Sequence, residues 1–117
     1  MKKELRVKRA DEFQEIIKRR KSELNSKFVV YHVPKREEKA RVGISVGKKM
    51  GNAVFRTKAK RQIRMMMQEV FKNNYSFDSV IIVRKDYFNS SFASNTKDLK
   101  NLYDLIEKRR YANDSIK

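Results

Sequence analysis

The sequence contains no cysteine, no tryptophan and a single histidine, His32. Without cysteine the chain can form neither a disulfide framework nor a thiolate metal site, and one histidine excludes most histidine-based metal clusters. No apolar run approaches the length of a transmembrane helix. The basic residues 1–9 lead into no apolar signal-peptide core. We therefore expect a cytoplasmic protein that does not engage a membrane.

Acidic residues are scarce, because fourteen Asp and Glu stand against thirty Lys and Arg, for a net charge of +16. Such a charge on a small domain favours a polyanion as the principal partner. Binding to anionic lipid would require a helix with bulky apolar residues on an exposed face. The apolar stripes of this chain are instead needed for a core. Nucleic acid is therefore the predicted partner.

Length and periodicity predict one domain over residues 1–117, with a basic arm at 1–9 and a frayed end at 112–117. The predicted order is α-β-β-(β)-α-β-α, a two-layer α/β (α+β) sandwich with helices packed on a small mixed sheet. The strands that flank the second helix should be parallel neighbours. The predicted segments are a helix capped by Asp11, strands at 27–33, 40–47 and 79–83, a basic helix at 52–73, an irregular connection at 84–96 and a final helix at 98–111, with a short edge strand allowed within 22–26.

The chain is organised around a basic stretch at residues 48–64, which holds seven Lys or Arg and no acid. No Asp or Glu occurs between Glu38 and Glu69. Asn52 is the predicted N-cap of a helix whose apolar stripe steps by three or four residues from Phe55 to Val70. Arg56, Lys60 and Arg64 should line the edge of this stripe, since successive residues turn by about 100°. Cations oppose the helix dipole near an N-terminus, so an anionic partner is favoured there.

These residues resemble the protein subunit of bacterial ribonuclease P. The specific block is RVGISV at residues 41–46 followed by KKMGNAVFRTKAKRQIR at 48–64. Shorter matches occur at residues 11–14 and 27–31, so that the resemblance covers about residues 9–84. The family pattern has an Arg-Asn-Arg triplet at residues 56–58. This chain keeps Arg56 but has Thr57 in place of Asn and Lys58 in place of Arg. It also has Ile17 where relatives often place Phe.

The resemblance implies a fold with a left-handed β-α-β crossover through the basic helix, like that of certain ribosomal-protein domains. It implies two partners, the catalytic ribonuclease P RNA and precursor tRNA, with the protein a monomer in a 1:1 complex with the RNA. The RNA would use Mg²⁺ to remove the 5′ leader of the precursor, and the protein would bind no cofactor. The implied contacts to the RNA are Lys48, Lys49, Asn52, Arg56, Lys58, Lys60, Arg61 and Arg64.

The resemblance also implies a cleft for the leader between the first helix, the sheet and the basic helix. Its candidate residues are Phe13, Ile17, Phe28, Tyr31, Arg41 and Ser45. Strand alternation places Phe28 and Tyr31 on opposite faces of the strand. Periodicity alone does not decide which of these faces is exposed to solvent. The resemblance favours Tyr31. Gly43, which shares a side of its strand with Arg41 and Ser45, would admit a close ligand.

The chain shows no set of residues that would hydrolyse RNA unaided. A protein nuclease would need clustered carboxylates for metal ions or a pair of general acid and base groups. His32 lies in mid-strand, where a structural role is expected, and the acids lie away from the basic stretch. A ribosomal or other structural RNA-binding protein would share the charge and the single domain, and only the block at 48–64 argues against it. A stand-alone nuclease is a weaker alternative.

Overall fold

The computed structural model describes residues 5–7 and 9–111. Most of the predicted arm and the predicted frayed end, residues 1–4, 8 and 112–117, lie outside the described residues. The helices and strands, in chain order, are α1 (Ala10–Lys18), β1 (Ser22–Leu24), β2 (Phe28–Pro34), β3 (Val42–Ser45), α2 (Ala53–Val70), β4 (Phe77–Val83) and α3 (Phe92–Ile106). Short 3-10 turns cover Lys48–Met50 and Lys85–Asn89, and one π-helical turn, Glu107–Tyr111, extends α3.

The four strands form one mixed sheet in the order β1-β2-β4-β3. β2 is antiparallel to β1 and β4, whereas β3 runs parallel to β4. The β3-α2-β4 segment is therefore a crossover between parallel neighbours, as the sequence predicted. The left-handedness of this crossover stays a prediction.

The two faces of the sheet are covered differently. Phe28 and Val30 of β2 point to the main core, where α2 and α3 contribute residues such as Ile63 and Leu99. The alternate residues of β2 point to the other face, where α1 packs through Ile16 and its neighbours. The mixed sheet with packed helices is confirmed, and the two-layer description is refined, because α1 lies across the sheet from α2 and α3.

The helix boundaries differ from prediction in all three helices. α1 begins at Ala10 with Arg9 as its N-cap, and Asp11 lies inside the first turn, where its carboxylate accepts from the Arg9 side chain. α3 begins at Phe92 rather than at 98, because the Ser91 side chain accepts from the backbone N–H of Ser94. The connection expected to be irregular is thus largely helical. The basic helix ends at Val70, three residues short of the predicted end.

No helix within the described residues has the length and apolar character needed to cross a membrane.

Candidate nucleic-acid interface

Helix α2 begins as the sequence predicted. The Asn52 side chain accepts a hydrogen bond of 2.9 Å from the backbone N–H of Phe55, so that Asn52 caps the helix. Ala59, Ile63, Met66 and Val70 are buried against the sheet, and Phe55 at the start of the stripe is 40% exposed. The stripe fixes the rotation of α2 and therefore the direction of each cation.

The cations of the basic stretch lack acidic partners among the residues that the structure describes. Within residues 5–7 and 9–111, none of the seven Lys and Arg of this stretch forms an ion pair with a carboxylate, consistent with the absence of acids between Glu38 and Glu69. These seven side chains are Lys48, Lys49, Arg56, Lys58, Lys60, Arg61 and Arg64. Four of them are exposed, whereas Arg56, Lys60 and Arg64 are half-buried along one flank of α2. We call this seven-residue set, together with Asn52, the α2 basic surface.

The half-buried flank of α2 carries unrelieved positive charge. Partial burial lowers the pKa of Arg64 from its ordinary value, and repulsion from Arg6 and Arg61 lowers it further. Arg6 belongs to a segment that pairs with β3, since it bridges to Val42 and the Val7 N–H donates to the Val42 carbonyl at 3.0 Å. An anion bound beside Arg64 would relieve this repulsion.

The sheet face opposite the main core contains an open floor. In the strand register, Val29 of β2 lies opposite Ile82 of β4, and Ile82 lies beside Ser45 of β3. All three side chains are half-buried. Ser45 leads through residues 46–47 into Lys48 and the start of α2, so this floor adjoins the α2 basic surface.

α1 covers the next part of the same face. A Cβ placed on Gly43 would lie 2.6 Å from the ring of Phe13, so the missing side chain makes room for Phe13. The prediction that Gly43 admits a ligand is corrected, because that space is filled from within the chain. Phe13, Ile17 and Tyr31 form a partly buried cluster around Ile16 and Val80. These three candidates stand at the margin of the open floor.

Arg41 is internal rather than available to a ligand. Its side chain is 9% exposed and donates to Glu12 at 2.8 Å and to Asp78 at 3.3 Å. Asp78, only 1% exposed, also accepts from the Arg41 backbone N–H at 2.9 Å. The hydrogen bond from Arg41 holds the pKa of Glu12 below its usual range. The prediction of Arg41 as a leader contact is therefore corrected to a structural role between α1 and the sheet.

Phe28 is also removed from the predicted cleft. It is fully buried on the opposite face and meets the ring of Tyr87 edge-on at 5.7 Å. Strand alternation identified two faces of β2 but could not rank them, because both carry large apolar residues. The structure resolves this, since Phe28, Val30 and His32 are fully buried and Val29 and Tyr31 are not.

Two further cations lie at the same end of the sheet and were missed in the sequence. Arg84 and Lys85 directly follow β4 and are exposed. Because β3 and β4 are parallel, their carboxyl ends meet at one edge of the sheet, which brings this pair near the end of β3. The signal was a basic pair immediately after a buried strand, and it was overlooked because the segment was expected to be irregular.

The described residues contain no group of three or more His, Cys, Asp or Glu that could hold a metal ion. His32 is fully buried, with its Nδ1 2.7 Å from the Tyr111 hydroxyl. Burial is the main cause that lowers the pKa of His32 to about 4, and the nearby positive charge of Arg110 is the second. This histidine is a neutral core residue at ordinary pH.

Comparison with known families decides the assignment. The family model described as Ribonuclease P matches residues 1–107. The chain belongs to the ribonuclease P protein family. It is 48% identical over 98 residues to the ribonuclease P protein component of Mesoplasma florum, covering 82% of this chain and 89% of that protein. It is 51% identical over 85 residues to the component from Streptococcus pyogenes, covering 73% of this chain and 71% of that protein.

Solved structures of the ribonuclease P family share the fold. The protein from Staphylococcus aureus superposes with a TM-score of 0.76 at 33% identity, over 88% of this chain and 95% of that one. The protein from Thermotoga maritima superposes with a TM-score of 0.76 at 32% identity, over 87% of this chain and 97% of that one. The mixed sheet with three helices is therefore the family's architecture.

Proposed function

We propose that this chain is the ribonuclease P protein component that binds the ribonuclease P RNA through the α2 basic surface. The open floor of the sheet would receive the 5′ leader of precursor tRNA, and the assembly would release the mature 5′ end. The observation that carries the proposal is the juxtaposition of an acid-free row of cations with an uncovered part of the sheet, in a member of this family.

The α2 basic surface would act by offsetting phosphate repulsion. Two RNAs brought together repel each other, and Lys and Arg side chains that lack acidic partners are free to neutralise their phosphates. Arg56, Arg61 and Arg64 can hold phosphate oxygens through two parallel hydrogen bonds, whereas Lys58 contributes a point charge. The N-terminus of α2, which Asn52 caps, belongs to the same surface, and a helix N-terminus favours phosphate. Binding should therefore weaken steeply as salt rises.

The leader would lie on the floor formed by Val29, Ile82 and Ser45. Tyr31, on the same face of the sheet, offers a ring on which an unpaired base can stack without being read for its identity. Phe13 and Ile17 of α1 would border the leader on one side. A leader in this position would meet Lys48 and Lys49 at the end of β3, where its phosphates need positive charge.

Hydrolysis is assigned to the RNA and its bound Mg²⁺. Within the part of the chain that the structure describes, no clustered carboxylates stand ready to share metal ions, and His32 is sealed in the core. The protein's contribution would be affinity and positioning. The proposal includes a cytoplasmic protein that joins the RNA as one copy.

The test is cleavage of precursor tRNA at limiting Mg²⁺ by the cognate RNA, with and without the protein. We expect the protein to raise the cleavage rate and to leave precursor intact when it is added alone with any divalent metal. Cleavage at the mature 5′ end by the protein alone, abolished by a point substitution, would contradict the assignment of chemistry to the RNA. Co-sedimentation with ribosomal subunits instead of the RNA would indicate a ribosomal protein.

A charge-matched pair of variants sharpens this test. Replacing Arg56, Lys60 and Arg64 by Ala removes three charges from the α2 basic surface. Replacing Arg36, Lys72 and Lys100 by Ala removes three charges that already face acidic partners. Only the first variant should lose stimulation at limiting Mg²⁺. Equal losses would show that net charge, rather than this surface, is responsible.

A further inference from the structure

A second recess lies on the other flank of α2, where the helix faces the connection into α3. It encloses about 210 Å³. Ligand pockets for drug-sized molecules span about 300–1,000 Å³, so this one suits a single flat ring system. The side chains that carry the argument are Phe55, Lys58, Gln62, Phe88, Phe92 and Asn95.

Three phenylalanines supply aromatic surface to this recess. The rings of Phe55 and Phe88 lie 4.8 Å apart with their planes tilted by 32°. Phe92, the first residue of α3, keeps 46% of its surface exposed, and Phe55 keeps 40%. A Cβ on Gly51 would lie 2.5 Å from the Phe55 ring, so the glycine allows Phe55 to fold back over the start of α2. Exposed rings that meet at a recess provide a stacking surface.

A buried acceptor lies among these rings. Asn95 is only 2% exposed, and its Nδ2 donates to the Tyr87 carbonyl at 3.0 Å, which fixes the orientation of the amide. Among the described residues its Oδ1 accepts no hydrogen bond. A buried polar atom without a partner carries a desolvation cost that a ligand donor would relieve.

The recess also presents donors. The Tyr87 hydroxyl donates to Oε1 of Gln62 at 2.8 Å, which leaves the Gln62 amide N–H groups to point elsewhere. Lys58 also lines the recess. Lys58 lies three residues after Phe55 and four before Gln62, so these three side chains share one face of α2. A cation and two amide side chains therefore line one aromatic slot.

We propose that this recess binds a single unpaired base of a bound RNA. The base would stack on Phe92 and the Phe55–Phe88 pair, donate an exocyclic N–H to Asn95, and place its phosphate near Lys58. Every base has a flat face, and stacking on aromatic rings tolerates any of the four. An aliphatic ligand would leave the Asn95 acceptor unsatisfied. The inference rests on the proposed function, because it assumes that RNA lies along α2.

The decisive variant is Phe92→Ala, because Phe92 is exposed enough for its removal to spare the core. Leu24→Ala is the matched control, since Leu24 is a 60% exposed apolar residue on β1. Affinity for the ribonuclease P RNA and for precursor tRNA is measured separately across a salt series. We expect Phe92→Ala to weaken binding to one of them by about five- to a hundredfold. The salt slope should not change, because Phe92→Ala retains Lys58 and the phosphate contact proposed for it.

The RNA whose affinity falls is the one that supplies the base. Phe92→Trp keeps a stacking surface and should retain wild-type affinity. Unchanged affinity in Phe92→Ala for both RNAs, or equal losses in Phe92→Ala and Leu24→Ala, would overturn the proposal. A changed salt slope would also overturn it, because it would point to a phosphate contact rather than a stacked base.

A direct probe separates this inference from the proposed function. The wild-type protein and Phe92→Ala are titrated with the four nucleoside 5′-monophosphates while the side-chain amide resonances of Asn95 and Gln62 are followed. Shifts that saturate in the wild type and vanish in Phe92→Ala support the pocket, even if the protein fails to bind the ribonuclease P RNA. Absence of shifts in a protein that still binds and stimulates that RNA overturns the pocket alone.

Discussion

Two regions of this molecule carry many cations and treat them in opposite ways. On the α2 basic surface, no carboxylate within the described residues pairs with any of the seven Lys and Arg. Around α1, in contrast, Arg41 donates to Glu12 and Asp78, and Arg36 lies 2.6 Å from Glu15. The same residue type is proposed to bind an external polyanion in the first region, and it holds helix to sheet in the second.

The comparison shows that the count of basic residues is a poor guide to a binding surface. What distinguishes the regions is the supply of acids close by. A cation that already faces a carboxylate contributes little to a phosphate, since the phosphate must displace that partner. Arg41→Ala and Arg64→Ala separate the two roles directly, and changes at His32 and Tyr31 test the core and the open floor beside them.

The largest effect is expected from Arg41→Ala in the paired region. Its loss leaves Asp78 as a buried charge without its guanidinium partner, and breaking a buried pair in this way costs about 3–5 kcal/mol. The free energy of unfolding, measured by urea denaturation, should fall by that amount. Arg36→Ala removes an exposed charge nearby and should change stability by no more than about 1 kcal/mol. If Arg41→Ala is stable and loses affinity only for precursor tRNA, Arg41 contacts the leader and its structural role is contradicted.

The next effect concerns His32, which would become a cation beside Arg110 and Lys21 if it were protonated. Its pKa is about 4 in the folded protein and about 6.5 when unfolded. The unfolded chain therefore binds the proton more tightly, and stability should fall as pH decreases from about 6.5 towards 4. The loss approaches about 3 kcal/mol at the acid end, since one pKa unit corresponds to about 1.4 kcal/mol.

Thermal melting at pH 7 and pH 4.5 measures this dependence. A His32→Gln variant lacks the titrating group, so its stability should depend less on pH over the same range. If the two proteins lose stability in parallel, His32 is not the group responsible.

A smaller effect is expected at Tyr31, which lies beside the paired region but faces the open floor. Tyr31→Ala removes a stacking surface worth about 1–3 kcal/mol per base, so affinity for leader-bearing precursor should fall about five- to a hundredfold. Mature tRNA has no leader and should bind almost unchanged. Melting temperature is the second measurement on this variant. A large fall in melting temperature with equal losses for both tRNAs would make Tyr31 a core residue.

The smallest effect is the most specific for the α2 basic surface. Arg64→Ala should reduce the slope of log K against log salt by about one unit if one phosphate contact is lost. Arg36→Ala, with its acidic partner, should leave the slope unchanged. Identical slopes for wild type and Arg64→Ala would remove Arg64 from the RNA interface.

Sequence periodicity predicted those features that depend on local patterns. The start of α2 followed from the side-chain chemistry of Asn52, and the parallel pairing of β3 with β4 followed from an apolar strand on each side of one helix. The start of α3 was missed because Asn95, a polar residue, occupies an inward position of the helix where an apolar residue is expected. Asn95 is buried and donates a hydrogen bond to the Tyr87 carbonyl. The spacing of apolar residues along the sequence does not reveal this contact.

The candidate site was predicted only in part for a related reason. A run of cations without acids is visible in the sequence, so the α2 basic surface could be identified. The structural role of Arg41 could not be predicted from the sequence, because its partners Glu12 and Asp78 are 29 and 37 residues away. Phe28 and Tyr31 point to opposite faces of the sheet, and the sequence does not show which of these faces α2 and α3 cover. Tertiary packing decides both questions.

The pairing of Arg6 and Val7 with Val42 has a consequence for how this protein behaves before it meets its RNA. β3 is an outer strand, and unpaired outer strands invite other chains to add to the sheet. The chain's own segment occupies part of that edge, while the opposite edge is the three-residue β1 with Glu23 at its centre. With +16 charges repelling neighbouring copies as well, freshly made protein should resist self-association. Removal of residues 1–7 should expose the β3 edge and increase aggregation during storage at high salt, where the charge repulsion is screened.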